Sequence, residues 1–354
     1  MKVTDNKNKF PYEWTLKDAN FTKDKGTVFS CFACGGGSTM GYKLAGFDVL
    51  GCNEIDPKMI EAYKTNHNPK YDFLEPIQTF KLRKDLPKEL YNLDILDGSP
   101  PCSSFSMAGS REKDWGKEKK FREGQAEQVL DTLFFDFIDL AKELQPKIVI
   151  AENVKGLLMG SAKQYVGEIG KAFDEAGYYV DKWLLDASKM GVPQRRERVF
   201  FVAIRKDLSD SIPGWTDMFN PMPKLDLEFN EKEIPFSEIQ EETKREPLMK
   251  GHLKHWNNAD HTGRAKAKSG NTFGFFYKAN KNLVCATIIS GGYYSIEDNP
   301  EILTDNEFSL VGSYPLDYNH LNNEAKYLIG MSVPPVMTAQ ISSRIYEQWL
   351  SKIN

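Results

Sequence analysis

Gly26-Thr-Val-Phe-Ser-Cys-Phe-Ala-Cys-Gly-Gly-Gly-Ser38 opens the part of the chain that decides the fold. Val28 to Phe32 has the apolar and aromatic composition of a strand. Gly35, Gly36 and Gly37 then make a turn without Cβ atoms, and Ser38 is placed as the N-cap of a helix through Met40, Leu44 and Ala45. A second strand from Phe47 to Cys52 ends in Asn53-Glu54-Ile55-Asp56. Strand, glycine turn, helix, strand and acid form the first half of a nucleotide-binding βαβ unit. Glu54 falls 17 residues after Gly37, near the ~20 expected of a carboxylate that grips a ribose hydroxyl pair. A glycine turn can serve helix–strand packing alone, but with Glu54 at this distance an adenosine-bearing ligand is expected.

Further on, Asp94-Ile-Leu-Asp-Gly-Ser-Pro-Pro-Cys-Ser-Ser-Phe-Ser106 places a thiol on a stiff turn. Ile95 and Leu96 read as the end of a buried strand, and Pro100 and Pro101 restrict the backbone leading to Cys102. The carboxyl end of a strand is where open α/β sheets keep their ligands. On this segment alone, a buried cysteine after a proline turn explains the pattern equally well. Two more strands carry charges at their ends. Ile148 to Ile150 is a continuous apolar run followed by Glu152 and Asn153, and Gln194-Arg-Arg-Glu-Arg198 leads into Val199 to Ile204. Arg196 and Arg198 share one strand parity and are expected to face the same way.

Together these segments resemble the DNA cytosine-5 methyltransferases. The ordered signatures of that family fall at Phe32 to Gly37, Glu54, Pro101-Cys102, Glu152-Asn153-Val154 and Gln194-x-Arg196-x-Arg198. Leu303-Thr304 through Glu307 to Tyr318 is similar to the penultimate motif, and Gly330-Met-Ser-Val-Pro-Pro335 to the last. The resemblance spans roughly residues 26 to 350. It implies a doubly wound, Rossmann-like α/β methyltransferase domain that binds S-adenosyl-L-methionine through Phe32, Gly35, Gly36, Gly37, Glu54, Ile55, Pro101, Ser332 and Val333. It further implies Cys102 as the nucleophile that adds to carbon 6 of cytosine and so makes carbon 5 nucleophilic. Glu152 would hold or donate a proton at ring N3. Arg198, with Arg196 nearby, would bind the pyrimidine carbonyl and lower the pKa of Cys102. A cytosine inside a duplex is out of reach, so base flipping is expected.

The chain departs from the family pattern at several cofactor positions. Ser30 stands where the first motif has Asp, Cys34 where it has Gly, and Glu75-Pro76-Ile77 where Gly-Asp-Ile is usual. Met331 replaces an Asn, and the Arg expected before Leu303 is missing. These changes touch cofactor contacts rather than the groups assigned to the chemistry.

The chain's 354 residues suit one large domain plus a small one, and the net charge of −4 is unevenly spread. Residues 205–243 hold 4 basic and 10 acidic side chains, whereas residues 244–282 hold 9 basic and 2 acidic, together with His252, His255 and His261. The resemblance puts the target-recognition domain here, with Trp256 and the Phe273 to Tyr277 cluster as a small core and the cations on phosphates. An ordinary solvated basic surface is the alternative. The expected organisation is an N-terminal, loosely packed arm over 1–25 and a catalytic and cofactor-binding domain over 26–205. A target-recognition domain over 206–283 follows, and 284–354 completes the catalytic domain with its last helix beside the first strand. Residues 111–122, with 6 basic and 3 acidic side chains, are expected to form a lid, and a helix is expected over 126–144.

Five cysteines without framework spacing point to free thiols in a reducing compartment, and no metal site is expected of Cys31-x-x-Cys34. Without an apolar run of ~18 to 20 residues or a signal peptide, a cytoplasmic enzyme is expected, with no membrane partner and a monomeric state. Double-stranded DNA is the expected partner, and a cognate restriction endonuclease a further one. Two other readings stay open: a tRNA cytosine-5 methyltransferase, and a catalytically decayed DNA-binding protein.

Overall fold

The apolar runs at residues 28, 49, 95, 148 and 199 all become strands of one seven-stranded sheet. The computed structural model describes residues 8–101, 118–119, 128–129, 132–159, 162–212, 222–260, 263–266 and 272–353. Cys102 and nearly all of the expected lid lie outside the described residues. The chain divides into a sheet unit, Phe21–Leu185, Glu197–Glu228 and Ile341–Asn354, and a second unit, Met1–Asn20, Asp186–Arg196 and Phe229–Gln340. The second unit is thus drawn from more of the chain than the expected 206–283 segment.

In the sheet unit, β1 (Thr27–Cys31), β2 (Asp48–Glu54), β3 (Tyr71–Leu74), β4 (Ile95–Gly98), β5 (Ile148–Val154), β6 (Tyr178–Asp186) and β7 (Glu197–Arg205) lie in the order β3-β2-β1-β4-β5-β7-β6. Strand order reverses between β1 and β4, which makes a crevice at their carboxyl ends. β1 pairs in parallel with β2 and β4, and β4 with β5, whereas β7 runs antiparallel to β5.

Alternation along the strands sorts their side chains onto two faces. On one face Phe29, Leu96, Val149, Ala151, Val199 and Phe201 share a core with Phe134 and Phe137 of the helix Leu133–Leu144 and Ile169 and Phe173 of the helix Ala162–Glu175. Each of the larger of these buried side chains contributes about 1.5–3 kcal/mol. On the opposite face, α1 (Gly37–Leu44) follows β1, and α2 (Pro57–His67) packs Ile60 and Tyr63 against Ala33 and Cys52. Pro57 and the Asp56 cap, which accepts from the Lys58 N–H at 2.9 Å, start α2, and Asn68 at φ 43° ends it. At the chain's end Tyr346 meets Phe47 edge to face at 6.2 Å, and Lys25 Nζ lies 5.4 Å from its ring centre, so the last helix, Pro335–Gln348, returns beside the start of the sheet.

The second unit contains a three-stranded sheet of β8 (Arg264–Lys266), β9 (Thr272–Ala279) and β10 (Tyr293–Ile296). Leu248, Ala265 and Phe276 form its core with Trp256 against it. The Trp256 indole donates to the Ile296 carbonyl at 2.9 Å, and Lys278 Nζ sits 4.6 Å from its ring centre. Thr304 and Glu307 cap the helix Asp305–Val311 with reciprocal bonds, and the fully buried Glu307 is paired with Arg245. The expected loose arm is anchored instead: Trp14 is buried, and its indole donates to the Ser313 carbonyl at 3.0 Å. No helix among the described residues is long and apolar enough to cross a membrane.

Two local expectations change. The helix expected over 126–144 begins at Leu133, and Val129 instead belongs to a two-residue pairing with Glu118. Ser38 does not cap α1: Gly36, at φ 87°, occupies that position, and the Ser38 hydroxyl turns to a different partner, Asp97.

Candidate active site

The turn after β1 is a strained one. Phe32 at φ 53° and Cys34 at φ 48° hold a left-handed backbone that side chains disfavour by about 1–2 kcal/mol each. Gly36 must be glycine for two reasons, its φ of 87° and a Cβ that would stand 2.2 Å from Nε2 of His67. His67 is buried and pushed down to about 3 by desolvation and then by the nearby Lys43 charge, so it stays neutral.

Glu54 at the end of β2 holds this turn. Its Oε2 accepts the Cys34 N–H at 2.7 Å, and Oε1 accepts those of Ile55 and Asp56 at 2.8 and 2.9 Å. Burial raises its pKa, and the three backbone bonds oppose the shift. A carboxylate has about four acceptor positions, so Glu54 keeps room for one hydroxyl. An adenosine ribose therefore fits beside a turn stripped of Cβ atoms. Cys34, the departure from glycine, is accommodated by this bond to its N–H rather than by conformational freedom. Its Sγ lies 3.5 Å from the Met59 sulfur. At Glu75, the carboxylate is taken by Arg83 at 2.8 Å, and Pro76 starts the short helix Ile77–Phe80.

At the end of β5, alternation sends Glu152 and Asn153 to opposite faces. Asn153 is buried, and its Nδ2 donates to the Pro100 carbonyl at 3.1 Å, tying β5 to the proline turn that leads through Pro101 to position 102. Glu152 lies opposite Phe200, and Arg198 opposite Val154, so Glu152 and Arg198 are diagonal neighbours on one face. Arg198 Nε stands 2.9 Å from Glu152 Oε1, with the two side chains 15% and 12% exposed. Burial lowers the Arg198 pKa, and the Glu152 charge opposes that. This is a carboxylate held by a guanidinium with a little surface left open, a pair able to meet both a ring nitrogen and a carbonyl.

Arg198 is paired with Glu152, whereas Arg196 is bound to backbone carbonyls of other segments. Arg196 belongs to the second unit, is 2% exposed, and donates to the carbonyls of Ile288 at 2.9 Å and Gly330 at 3.0 Å. Gln194, fully buried, accepts from the Ile288 N–H at 3.0 Å and donates to the Val311 carbonyl at 3.2 Å. These two side chains thus stitch together the segments around 288, 311 and 330. Beyond Gly330, Ser332 and Val333 are buried, and the Ser332 hydroxyl bonds the Leu328 carbonyl at 2.8 Å.

The structure therefore groups Phe32, Gly35, Gly36, Gly37, Glu54 and Ile55 at one turn, Pro101 at the next strand end, and Glu152 with Arg198 beyond it. Arg196, Ser332 and Val333 sit together in the second unit. Sequence reasoning overlooked Asp97, a carboxylate inside an apolar strand that accepts from Ser30 at 2.7 Å, Ser38 at 2.8 Å and Tyr42 at 3.0 Å. Its signal was an acid where the run Ile95-Leu96 should have continued.

The profile of the C-5 cytosine-specific DNA methylases matches residues 26–347. The chain is 39% identical over 184 residues to the type II methyltransferase M.FnuDI of Fusobacterium nucleatum, covering 52% of this chain and 48% of that one. It is 27% identical over 333 residues to the type II methyltransferase M1.HphI of Haemophilus parahaemolyticus, covering 90% and 86%. The chain spans about half the length of the first of these relatives. Among solved structures, a triple mutant of Spodoptera frugiperda DNMT2 superposes with a TM-score of 0.63 at 16% identity, over 90% of this chain and 99% of that one, a likeness of fold alone.

Proposed function

Because the chain belongs to the C-5 cytosine-specific DNA methylase family, we propose that it methylates carbon 5 of a cytosine turned out of duplex DNA. The observation that carries this reading is the Glu152–Arg198 pair, set beside a proline turn that Asn153 fastens to the same strand. S-adenosylmethionine, when bound, supplies the methyl group that carbon 5 accepts. Glu54, with the Gly35–Gly37 turn, holds the adenosine end of that molecule, and Ile55, Phe32 and Pro101 border it.

Cys102 follows Pro101 directly, and its thiolate adds to carbon 6 of the ring. Charge then builds on the ring, and Glu152 meets it by holding a proton at N3. After carbon 5 has taken the methyl group, the carbon 5 proton is lost to solvent and the carbon 6–sulfur bond breaks, which restores the ring and frees the thiolate. Arg198 keeps Glu152 in place through Nε and presents its remaining guanidinium N–H groups to the pyrimidine carbonyl. The strand pairing that fixes both residues means that little reorganisation is needed as the ring becomes charged. Arg196 acts at one remove, as a positioning residue that holds the segments around 288 and 330.

The basic segment supplies the DNA-reading surface. Lys244, Lys250, Lys254 and Arg264 are exposed around the β8–β10 sheet, where they can neutralise phosphates. Each phosphate contact makes affinity fall with salt, so a steep salt dependence is expected. Two bacterial relatives are named type II methyltransferases, which supports a modification role alongside a restriction endonuclease.

Trapping on duplex DNA that carries 5-fluorocytosine, in the presence of S-adenosylmethionine, tests this reading. Fluorine at carbon 5 cannot leave as a proton does, so the enzyme stalls while covalently attached. A denaturant-resistant adduct with the wild type, absent from Cys102→Ala, is the expected result. An adduct on RNA alone would move the substrate to tRNA. Absence of any adduct and of cofactor binding would leave a non-enzymatic DNA-binding protein.

A further inference from the structure

Among the described residues, Asp97 is a buried carboxylate with no cation paired to it. It is 4% exposed, and its hydrogen-bond partners are the hydroxyls of Ser30 on β1 and of Ser38 and Tyr42 on α1. Among the described residues no Lys, Arg or His is ion-paired with it. The charged or titratable groups that face it are Cys31 on β1, Tyr42 on α1, Tyr63 on α2 and Glu152 on β5. Burial pushes Cys31, Tyr42 and Tyr63 well up, so they stay neutral, and the Glu152 charge is paired with Arg198. A buried anion satisfied only by neutral donors is costly, and groups of this kind gather at functional sites.

Its position is as telling as its charge. Asp97 sits on β4 one residue before Gly98, at the strand-order reversal, and it grips the first turn of α1 directly after the Gly35–Gly37 turn. Position 30, where an acid is usual in the resembling family, is the serine that donates to it. Three donors leave one acceptor position of the carboxylate unused.

We propose that Asp97 is the counter-charge for the cationic end of S-adenosylmethionine, acting from β4 on a ligand held at the β1–α1 turn. This rests on the functional reading above and adds the group that recognises positive charge. Burial raises the Asp97 pKa first, with the Glu152 charge adding to it and the three hydroxyls opposing, so the free carboxyl titrates at about 6. A cation bound nearby favours the ionised form. Near pH 6 the binding of the cofactor therefore expels a proton from Asp97 into solvent.

Calorimetry of S-adenosylmethionine binding, in buffers of different ionisation enthalpy at pH 6 and pH 8, reads that proton directly. The wild type should release a substantial fraction of a proton at pH 6, and this release should be missing in Asp97→Asn. Affinity of the wild type should rise several-fold between pH 5 and pH 7, while that of the variant stays flat over this range. S-adenosylhomocysteine keeps the ammonium but lacks the sulfonium. Loss of the linkage with it assigns Asp97 to the sulfonium, and retention assigns it to the ammonium. Binding of the wild type without proton release at pH 6 overturns the proposal even if Asp97→Asn fails to fold. Absence of binding at either pH overturns the functional reading and this inference with it. Formation of the 5-fluorocytosine adduct separates the two failures, because an enzyme that is trapped yet shows no proton linkage has lost only the inference.

Discussion

Asp97 and Glu152 stand on the same face of the same sheet, on adjacent strands, and yet they are opposite kinds of buried acid. Asp97 lies level with Ile150 on β5, and Glu152 is two residues further along. Glu152 has a guanidinium at 2.9 Å and some surface to meet a substrate, whereas Asp97 has three hydroxyls and almost none. The pairing decides what each can do. A carboxylate held by arginine is fixed in place, which suits a group that must meet a developing charge. A carboxylate held by hydroxyls has its ionisation left open to whatever binds beside it.

The largest expected effect attacks the paired acid. Glu152→Gln should slow single-turnover methylation by about 10²–10⁴-fold, the usual share of a group that manages a proton. Cofactor affinity measured by calorimetry should hardly change. A variant that methylates at the wild-type rate would remove Glu152 from the chemistry.

Arg198→Ala leaves Glu152 without its cation, and breaking such a pair costs on the order of 3 kcal/mol. Adding Glu152→Gln should recover much of that loss in urea denaturation. Additive losses in the double variant would mean that the 2.9 Å contact carries little coupling.

Asp97 should give the opposite pattern, visible through pH. Its folded pKa of about 6 lies above the ~3.9 of an unfolded aspartate, so between these values the folded state holds a proton that the unfolded state has lost. Its contribution is fully present below pH ~3.9 and is lost as pH rises through about 6. Relative to the wild type, Asp97→Asn should therefore gain stability between pH 4 and pH 7, by about 3 kcal/mol at most. A constant difference across that range would show that Asp97 does not titrate there.

The smallest effect concerns the strained turn after β1. Cys34→Gly removes a left-handed side-chain conformation and should raise stability by about 1 kcal/mol or less, seen as a rise of a few degrees in Tm. A fall would mean that the contact between Cys34 and Met59 outweighs the strain.

Much of this was legible from residue order. The β1 turn and Glu54 could be read because glycine without side chains and an acid at a set distance are local features. The strand ending at Glu152 was legible because apolar runs mark buried strands wherever they lead. Ser38 was misassigned because a cap and a partner for a distant carboxylate look the same in one dimension. Arg196 and Arg198 were grouped by parity, but the chain passes from one unit to the other between Arg196 and Glu197, and parity holds only within a continuous strand.

What the sequence determined by itself is the family, the fold class and the order of the motifs, because each rests on short-range patterns of apolarity, glycine and charge. Tertiary structure alone decided which charges are paired. Arg198 finds Glu152 through antiparallel strand pairing, Asn153 finds the Pro100 carbonyl across neighbouring strands, and Asp97 receives hydroxyls from residues 55 to 67 positions earlier. The physical reason is that the energy of a charge depends on its distance to partners and on the water excluded around it. Both are set by packing, and neither is written in any single stretch of the chain.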